Sequence, residues 1–275
     1  MNQREDARGQ SAGRNRAPDC VRHPFRRSGM RAVAACGLPP GVFSLIHGGG
    51  ASIGIAMVKH PAATAVGFTG SHAAGRALFD AAAARPHPIP VFAEMSSINP
   101  VFVLPAALQE RGGALAQGLV ASFTLGVGQF CTKPGLVFVQ RGPAADAFLE
   151  KLAEVVRAAP CGTMLTSGIR EAFLESRAKI TAVPGIQPLA TTGANAREGG
   201  TEAGPSVATT TARHFLQHRE LATEAFGPFT LVVIGESADE LSACAASLEG
   251  QLTATLHGTA SDLASARPLL ATLEQ

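Results

Sequence analysis

The sequence predicts an α/β protein built on a largely parallel sheet, and three observations carry that prediction. Short apolar runs alternate along the chain with longer stretches of helical periodicity. Glycine and proline punctuate the alternation at the expected joints. The chain is 275 residues long, 46% hydrophobic and 16% charged, enough to bury a sizeable core in one large or two modest domains. No internal repeat is visible.

Residues 1 to about 27 are arginine-rich with little apolar periodicity and read as disordered. Met30 to Cys36 reads as the end of a helix stopped by Gly37 and the Pro39–Pro40 turn. Val42 to Ile46 is expected to be a short strand, Ile53 to Val58 a turn or two of helix, and Ala65 to Phe68 a second strand. Ala73 to Ala84 is an alanine-rich helix, and Pro86, Pro88 and Pro90 extend the chain into Val91 to Glu94, near the expected domain boundary. Strands follow at Val101–Leu104, Leu136–Val139, Ser206–Thr210, Phe229–Ile234 and Leu252–Leu256. Between them, helices are expected at Ala106–Phe123, Pro143–Ala158, Ile169–Ile180, Ser237–Leu248 and Asp262–Leu273. The Gly/Thr/Ala-rich stretch 185–204 reads as a surface excursion.

Composition narrows the function classes. A net charge of +2 and the absence of Trp and Tyr give no case for nucleic acid, either as a phosphate-binding surface or as a stacking platform. The five cysteines form no Cys-x-x-Cys pair and are odd in number, which points away from a disulfide framework and towards a reducing compartment. No apolar run approaches a membrane span, and the N-terminal arginines precede no apolar leader segment. The expected location is therefore the cytoplasm, and no metal is assigned.

Chemistry concentrates in Phe123–Gly135, FTLGVGQFCTKPG. Gly126, Gly128 and Gly135 surround Cys131, with Gln129 and Pro134 beside it, so the thiol sits in a loop where backbone and ligand approach closely. A thiolate is the nucleophile wherever access and pKa allow, the alternative being a buried structural cysteine. Upstream, Glu94 is a lone carboxylate in the apolar run Val91–Met95, costly to bury without a partner or a task. Thr69-Gly70-Ser71 joins a strand to a helix N-terminus, which can be an anion site, an ordinary N-cap, or both. No G-x-G-x-x-G is present. Glu224-Ala-Phe-Gly-Pro reads by itself as a helix end and a turn.

Four segments occur in a telling order: GFTGS at 67–71, RALFDAAAARPHPIPVFAEMSSINPVF at 76–102, GVGQFCTKPG at 126–135 and EAFGPF at 224–229. In order and approximate spacing they resemble the aldehyde dehydrogenase superfamily, and within it the α-ketoglutarate semialdehyde (2,5-dioxopentanoate) dehydrogenases, over roughly residues 30–275. The resemblance implies an aldehyde-dehydrogenase-like α/β fold. Residues 1–27 would be a non-family segment, 28–93 a partial dinucleotide-binding domain, and 94–275 an α/β catalytic domain lacking its C-terminal end. It implies Cys131 as nucleophile, with its backbone N–H as an oxyanion donor, and Glu94 as general base. Gly70 and Ser71 would lie against the cofactor pyrophosphate, and Glu224 and Phe226 beside the nicotinamide ribose and ring.

The implied cofactor is NAD or NADP. The implied reaction is oxidation of an aldehyde, 2,5-dioxopentanoate, to the acid through a cysteine thiohemiacetal and thioester. A 2-oxo acid substrate calls for an arginine to meet its carboxylate. The implied assembly is a homo-oligomer, although the oligomerisation arm, the last catalytic strand and the asparagine that completes the oxyanion hole have no counterpart in the sequence. Two departures stand out: Ser96, Ser97 and Ile98 replace the usual Gly-Gly-Lys, and Lys133 replaces an asparagine. The alternatives are a non-catalytic remnant acting as an interaction protein, and a cofactor-free thioesterase or esterase relying on Cys131.

Overall fold

The computed structural model describes residues 24–39, 41–46, 48–197 and 199–274; the expectation for residues 1–23 lies outside them. Two compact units divide after Ala63. The first contains helices α1 (Pro24–Ala35) and α2 (Gly50–Lys59). Pro24 opens α1, a position where the missing N–H costs nothing and φ is already helical, so Pro24 to Arg27 are helical and not disordered. Val42–Ile46 forms no strand: Val42, Phe43, Leu45 and Ile46 are exposed, and no described strand pairs with them. Apolar character without a neighbour to take the backbone hydrogen bonds does not make a strand.

The second unit, from Thr64, begins with β1 (Val66–Gly70), α3 (His72–Ala83) and β2 (Val91–Met95), the strands pairing in parallel with Thr69 opposite Glu94 and Gly70 opposite Met95. Gly75 lets α3 close on β2, since a Cβ there would lie 2.6 Å from the Met95 side chain. Then follow β3 (Val101–Val103), α4 (Pro105–Thr124), a 3-10 turn (Leu125–Gly128), β4 (Leu136–Gln140), α5 (Pro143–Ala158), β5 (Gly162–Thr163) and α6 (Ser167–Ala182). Next come β6 (Gln187–Thr191), β7 (Glu202–Ala203), β8 (Ser206–Thr211), α7 (Ala212–Gln217), β9 (Phe229–Gly235), α8 (Ala238–Ser247), β10 (Thr255–His257) and α9 (Leu263–Leu273). The stretch 185–204 is thus not simply a surface excursion; β6 pairs antiparallel with β8 and closes one edge of the main sheet.

That sheet has the order β10-β3-β4-β9-β8-β6 and is parallel except for β6. Side chains alternate across each strand, so one strand feeds two cores. Leu136 and Phe138 of β4, with Leu231 and Val233 of β9, join Phe173, Phe215, Leu241 and Leu269 from α6, α7, α8 and α9. Val137, Val139 and Val232 point the other way, onto Phe123 of α4 and Phe148, Leu152 and Val156 of α5. Burial on both faces explains why these strands are apolar without a break. No helix among the described residues is long and apolar enough to cross a membrane.

Candidate active site

The loops that enter the main sheet and the ends of the small sheet meet at one place. Loop 96–99 leads into β3, the Cys131 loop into β4, Glu224–Pro228 into β9 and Gln251–Thr253 into β10, while Gly70-Ser71 and Glu94-Met95 stand at the carboxyl ends of β1 and β2. They enclose a cavity of about 420 Å³ lined by Thr69, Gly70, Ser71, Glu94, Met95, Ser96, Ser97, Cys131, Glu224, Phe226 and Leu252, with α6 supplying Ile169, Ala172, Phe173 and Ser176. All six residues singled out in the sequence, Gly70, Ser71, Glu94, Cys131, Glu224 and Phe226, therefore border one cavity.

Cys131 is exposed, and its backbone N–H makes no hydrogen bond among the described residues. The contrast is Cys244, fully buried in α8, where burial and the neighbouring Glu240 push the thiol up to about 12. A thiol in that setting holds its proton; Cys131, unlike Cys244, is accessible. The approach to Cys131 is a tight twist in which Gly126, Val127 and Gly128 all have positive φ. Val127 is a β-branched residue at φ 59°, a costly conformation. Its side chain fills the space beside Gly162, where a Cβ would lie 2.6 Å away. Gly128 packs directly on the backbone of Gly227: a Cβ at 128 would meet the Gly227 carbonyl at 2.3 Å. Gln129 locks the turn, donating to Gly126 O (2.8 Å) and accepting from Leu165 N (2.9 Å).

Behind the thiol lies a polar hub that the sequence did not announce. Asn99, buried and at φ 53°, donates through Nδ2 to the carbonyls of Cys131 (2.9 Å) and Lys133 (3.0 Å). Its Oδ1 accepts from Ser97 Oγ (2.9 Å) and Thr253 Oγ1 (3.1 Å), while Gln251 Oε1 accepts from Ser97 Oγ (3.1 Å) and the Ile98 N–H. The loops before β3, β4 and β10 are thereby one hydrogen-bonded body.

Glu94 is exposed, which corrects the premise that it is a buried carboxylate. Met95 faces α3, so alternation along β2 turns Phe92 and Glu94 away from that helix, and Glu94 reaches the cavity without being desolvated. Glu224 is half-buried. Burial pushes its carboxyl above the ordinary range, opposed by hydrogen bonding from Ser96, the charge of Lys133 and the Ser97 N–H. Gly227 seats this loop on α6, since a Cβ there would meet the Phe173 ring at 2.3 Å.

Ser71 caps α3, its Oγ accepting from Ala74 N at 3.4 Å, and Ser96 Oγ accepts from His72 N at 3.2 Å. The Ala73 N–H is left without a partner among the described residues, at the cavity end of the helix. No arginine lines the cavity, so the expected partner for a substrate carboxylate is not among these residues. The expectation that no two histidines stand at H-x-x-x-H spacing is wrong: His214 in α7 and His218 at its end do, with ring centroids 4.3 Å apart. Among the described residues no group of three or more His, Cys, Asp or Glu side chains is placed to hold a metal ion.

Comparison with known proteins follows the same lines. Residues 28–273 match the model of the aldehyde dehydrogenase family. The chain is similar to alpha-ketoglutaric semialdehyde dehydrogenase 2 of Azospirillum brasilense, 48% identical over 244 residues that cover 89% of this chain and 46% of that protein. It is 39% identical over 241 residues to alpha-ketoglutaric semialdehyde dehydrogenase of Acinetobacter baylyi, covering 87% of this chain and 45% of the relative. The chain thus spans about half the length of these curated relatives. Among solved structures, an NAD-dependent benzaldehyde dehydrogenase from Corynebacterium glutamicum superposes with a TM-score of 0.70 at 25% identity, covering 87% of this chain and 51% of that one. Proline utilization A from Bdellovibrio bacteriovorus gives 0.73 at 22% identity over 86% of this chain and 25% of that one, a likeness of fold alone.

Proposed function

The chain belongs to the aldehyde dehydrogenase family, and from that premise we propose that it carries the site for NAD(P)-dependent oxidation of a small aldehyde, 2,5-dioxopentanoate, to the corresponding acid. The observation that carries the reading is the single cavity bordered by Cys131, Glu94, Glu224, Phe226, Gly70 and Ser71.

In the proposed reaction Cys131 Sγ, as thiolate, adds to the aldehyde carbon and forms a thiohemiacetal. The free N–H of Cys131 is one donor to the resulting oxyanion, the place where a preorganised donor lowers the barrier most. A bound nicotinamide supplies the acceptor for the hydride, two electrons and a proton, that leaves this carbon as the thioester forms. Glu94, exposed and facing the cavity, then takes a proton from the water that attacks the thioester; the carbon–sulfur bond breaks and the thiolate returns. Supporting a nicotinamide at this site are the Glu224 carboxylate, an acceptor for ribose hydroxyls, and Phe226, an apolar wall beside it. At the other end, the unpartnered Ala73 N–H and the side-chain-free Gly70 offer a phosphate the start of α3. On this reading residues 28–93 are the cofactor part and 94–275 the catalytic part, and the assembly is a homo-oligomer in the cytoplasm.

The test is to incubate the purified chain with 2,5-dioxopentanoate and NAD⁺ or NADP⁺ and follow absorbance of the reduced cofactor. Signal in the wild type and none in Cys131→Ala is the expected result. Silence from a folded sample would move the chain to the alternative of a non-catalytic interaction protein, and a clear preference for another aldehyde would remove the semialdehyde assignment.

A further inference from the structure

Two residues after the nucleophile, Lys133 is 2% exposed, and its side chain turns into the protein. Its Nζ donates to the carbonyl oxygens of Ala225 and Phe229, each at 3.0 Å. These two carbonyls bracket the Phe226-Gly227-Pro228 turn and follow directly on Glu224. On the other side of the thiol, three residues before it, Gly128 rests on the backbone of Gly227. The cysteine loop therefore grips the Glu224–Phe229 loop at two points, one on each side of Cys131. Lys133's own carbonyl is held by Asn99 Nδ2, so the grip is anchored to the loops before β3 and β10 as well.

We propose that Lys133 is a positioning residue that fixes the Cys131 loop to the Glu224–Phe229 loop, setting the distance between the nucleophile and the groups that hold the nicotinamide half of the cofactor. This deepens the dehydrogenase reading and rests on it for the role of the second loop. The chemistry suits a lysine. A primary ammonium on a long stem carries enough N–H groups to satisfy two carbonyls from one buried point, with a positive charge that faces the Glu224 carboxylate. Burial lowers the Lys133 pKa to about 8, with Glu224 acting against that shift. A neutral amine still has two N–H donors, so loss of the proton removes the charge and leaves both ties in place. An asparagine at this position is too short to reach across to both carbonyls, so the tie belongs to this chain's lysine.

Lys133→Met and Lys133→Gln separate the proposal from a merely structural role. Both are compared with wild type for the rate of Cys131 alkylation by iodoacetamide, read by mass spectrometry, and for binding of NADH or NADPH, read by the fluorescence of the reduced cofactor. Neither readout depends on turnover. The expected result is a change of at least about tenfold in alkylation rate in both variants. Faster hydrogen exchange confined to 224–229, and partial restoration by propylamine in Lys133→Ala, are expected with it. A loss of reduced-cofactor affinity of similar size is expected where wild type binds it. Alkylation within twofold of wild type, with unchanged exchange at 224–229, would overturn the proposal even if the dehydrogenase reading stands. If wild type binds no reduced cofactor and does not turn over, the dehydrogenase reading fails, and alkylation and exchange still decide whether Lys133 ties the loops. If Lys133→Met does not fold, Lys133→Gln, which keeps two amide donors on a shorter stem, decides by the same measures.

Discussion

Of the three sheets described in the second unit, the main sheet and the β1–β2 pair are both built on parallel pairing and differ in what covers them. The main sheet is packed on both faces, and its central strands β4 and β9 are apolar at nearly every position. The β1–β2 pair has one covered side, where Met95 meets α3; Phe92, on the other, is 71% exposed. Parallel pairs with an open face are uncommon, because βαβ crossovers ordinarily place helices on both sides. The difference bears on the cavity: the main sheet gives the Cys131 loop a rigid base, whereas the open face of β2 leaves Glu94 exposed at the cavity's border.

Substitutions at matched positions in the two sheets would break this comparison if it is wrong. Phe138 is fully buried in β4, stacked on Phe102 at 4.5 Å and edge-on to Phe215 at 5.5 Å. Phe138→Ala is expected to cost about 3–5 kcal/mol in denaturant unfolding. Phe92→Ser, on the open face of β2, is expected to stay within about 0.5 kcal/mol of wild type. Equal losses at the two positions would mean that the small sheet is covered after all.

A second effect lies where the loops before β4 and β9 meet. The folded chain releases the Lys133 proton near pH 8, while the unfolded chain holds it to 10.5. Between those values the unfolded state binds more protons, so stability rises with pH across the window, by roughly 3 kcal/mol for this one group. Urea titrations from pH 7.5 to 10 should show that rise in wild type and a flatter profile in Lys133→Met; identical slopes would count against it.

Glu224 works in the opposite sense. Its folded pKa is raised, so between the unfolded and folded values the native state binds more protons, and stability falls as pH rises through that window. Glu224→Gln removes the buried charge and is expected to raise Tm by roughly 2 °C at pH 7.5 while weakening reduced-cofactor binding. A variant that lost stability at that pH would show that the carboxylate is better paired than its surroundings indicate.

How much of this was legible in the sequence follows from range. The main strands were, because burial on both faces leaves an unbroken apolar run, as in Leu136–Val139. Edge strand β6 was not: with one partner and only Ala190 buried, Gln187–Thr191 has the composition of a loop. Val42–Ile46 erred the other way, apolar yet unpaired. Within the site, residues carrying a local signature, such as the glycine-flanked Cys131 and the Gly70-Ser71 turn, could be picked out, and four segments in order carried the family. Asn99, Gln251 and the direction of Lys133 could not. Their bonds reach partners as much as 154 residues away, and nothing beside a residue in sequence encodes such a distance. For Glu94 the four-segment resemblance was the informative signal, and the accompanying argument from the cost of burial does not hold, because the carboxylate stands exposed at the end of β2.

The most direct test of the whole account is to catch the covalent intermediate. Glu94→Gln, incubated with 2,5-dioxopentanoate and NAD⁺ or NADP⁺ and quenched in acid, should show by intact-mass and peptide mass spectrometry an acyl group on Cys131, because the thiol still adds and hydride still leaves while water is no longer activated. In wild type the same adduct should be transient, and Cys131→Ala should carry none. An unmodified Cys131 in a folded Glu94→Gln sample that binds the reduced cofactor, or an acyl group on a different residue, would contradict the assignment of nucleophile and base on which the account stands.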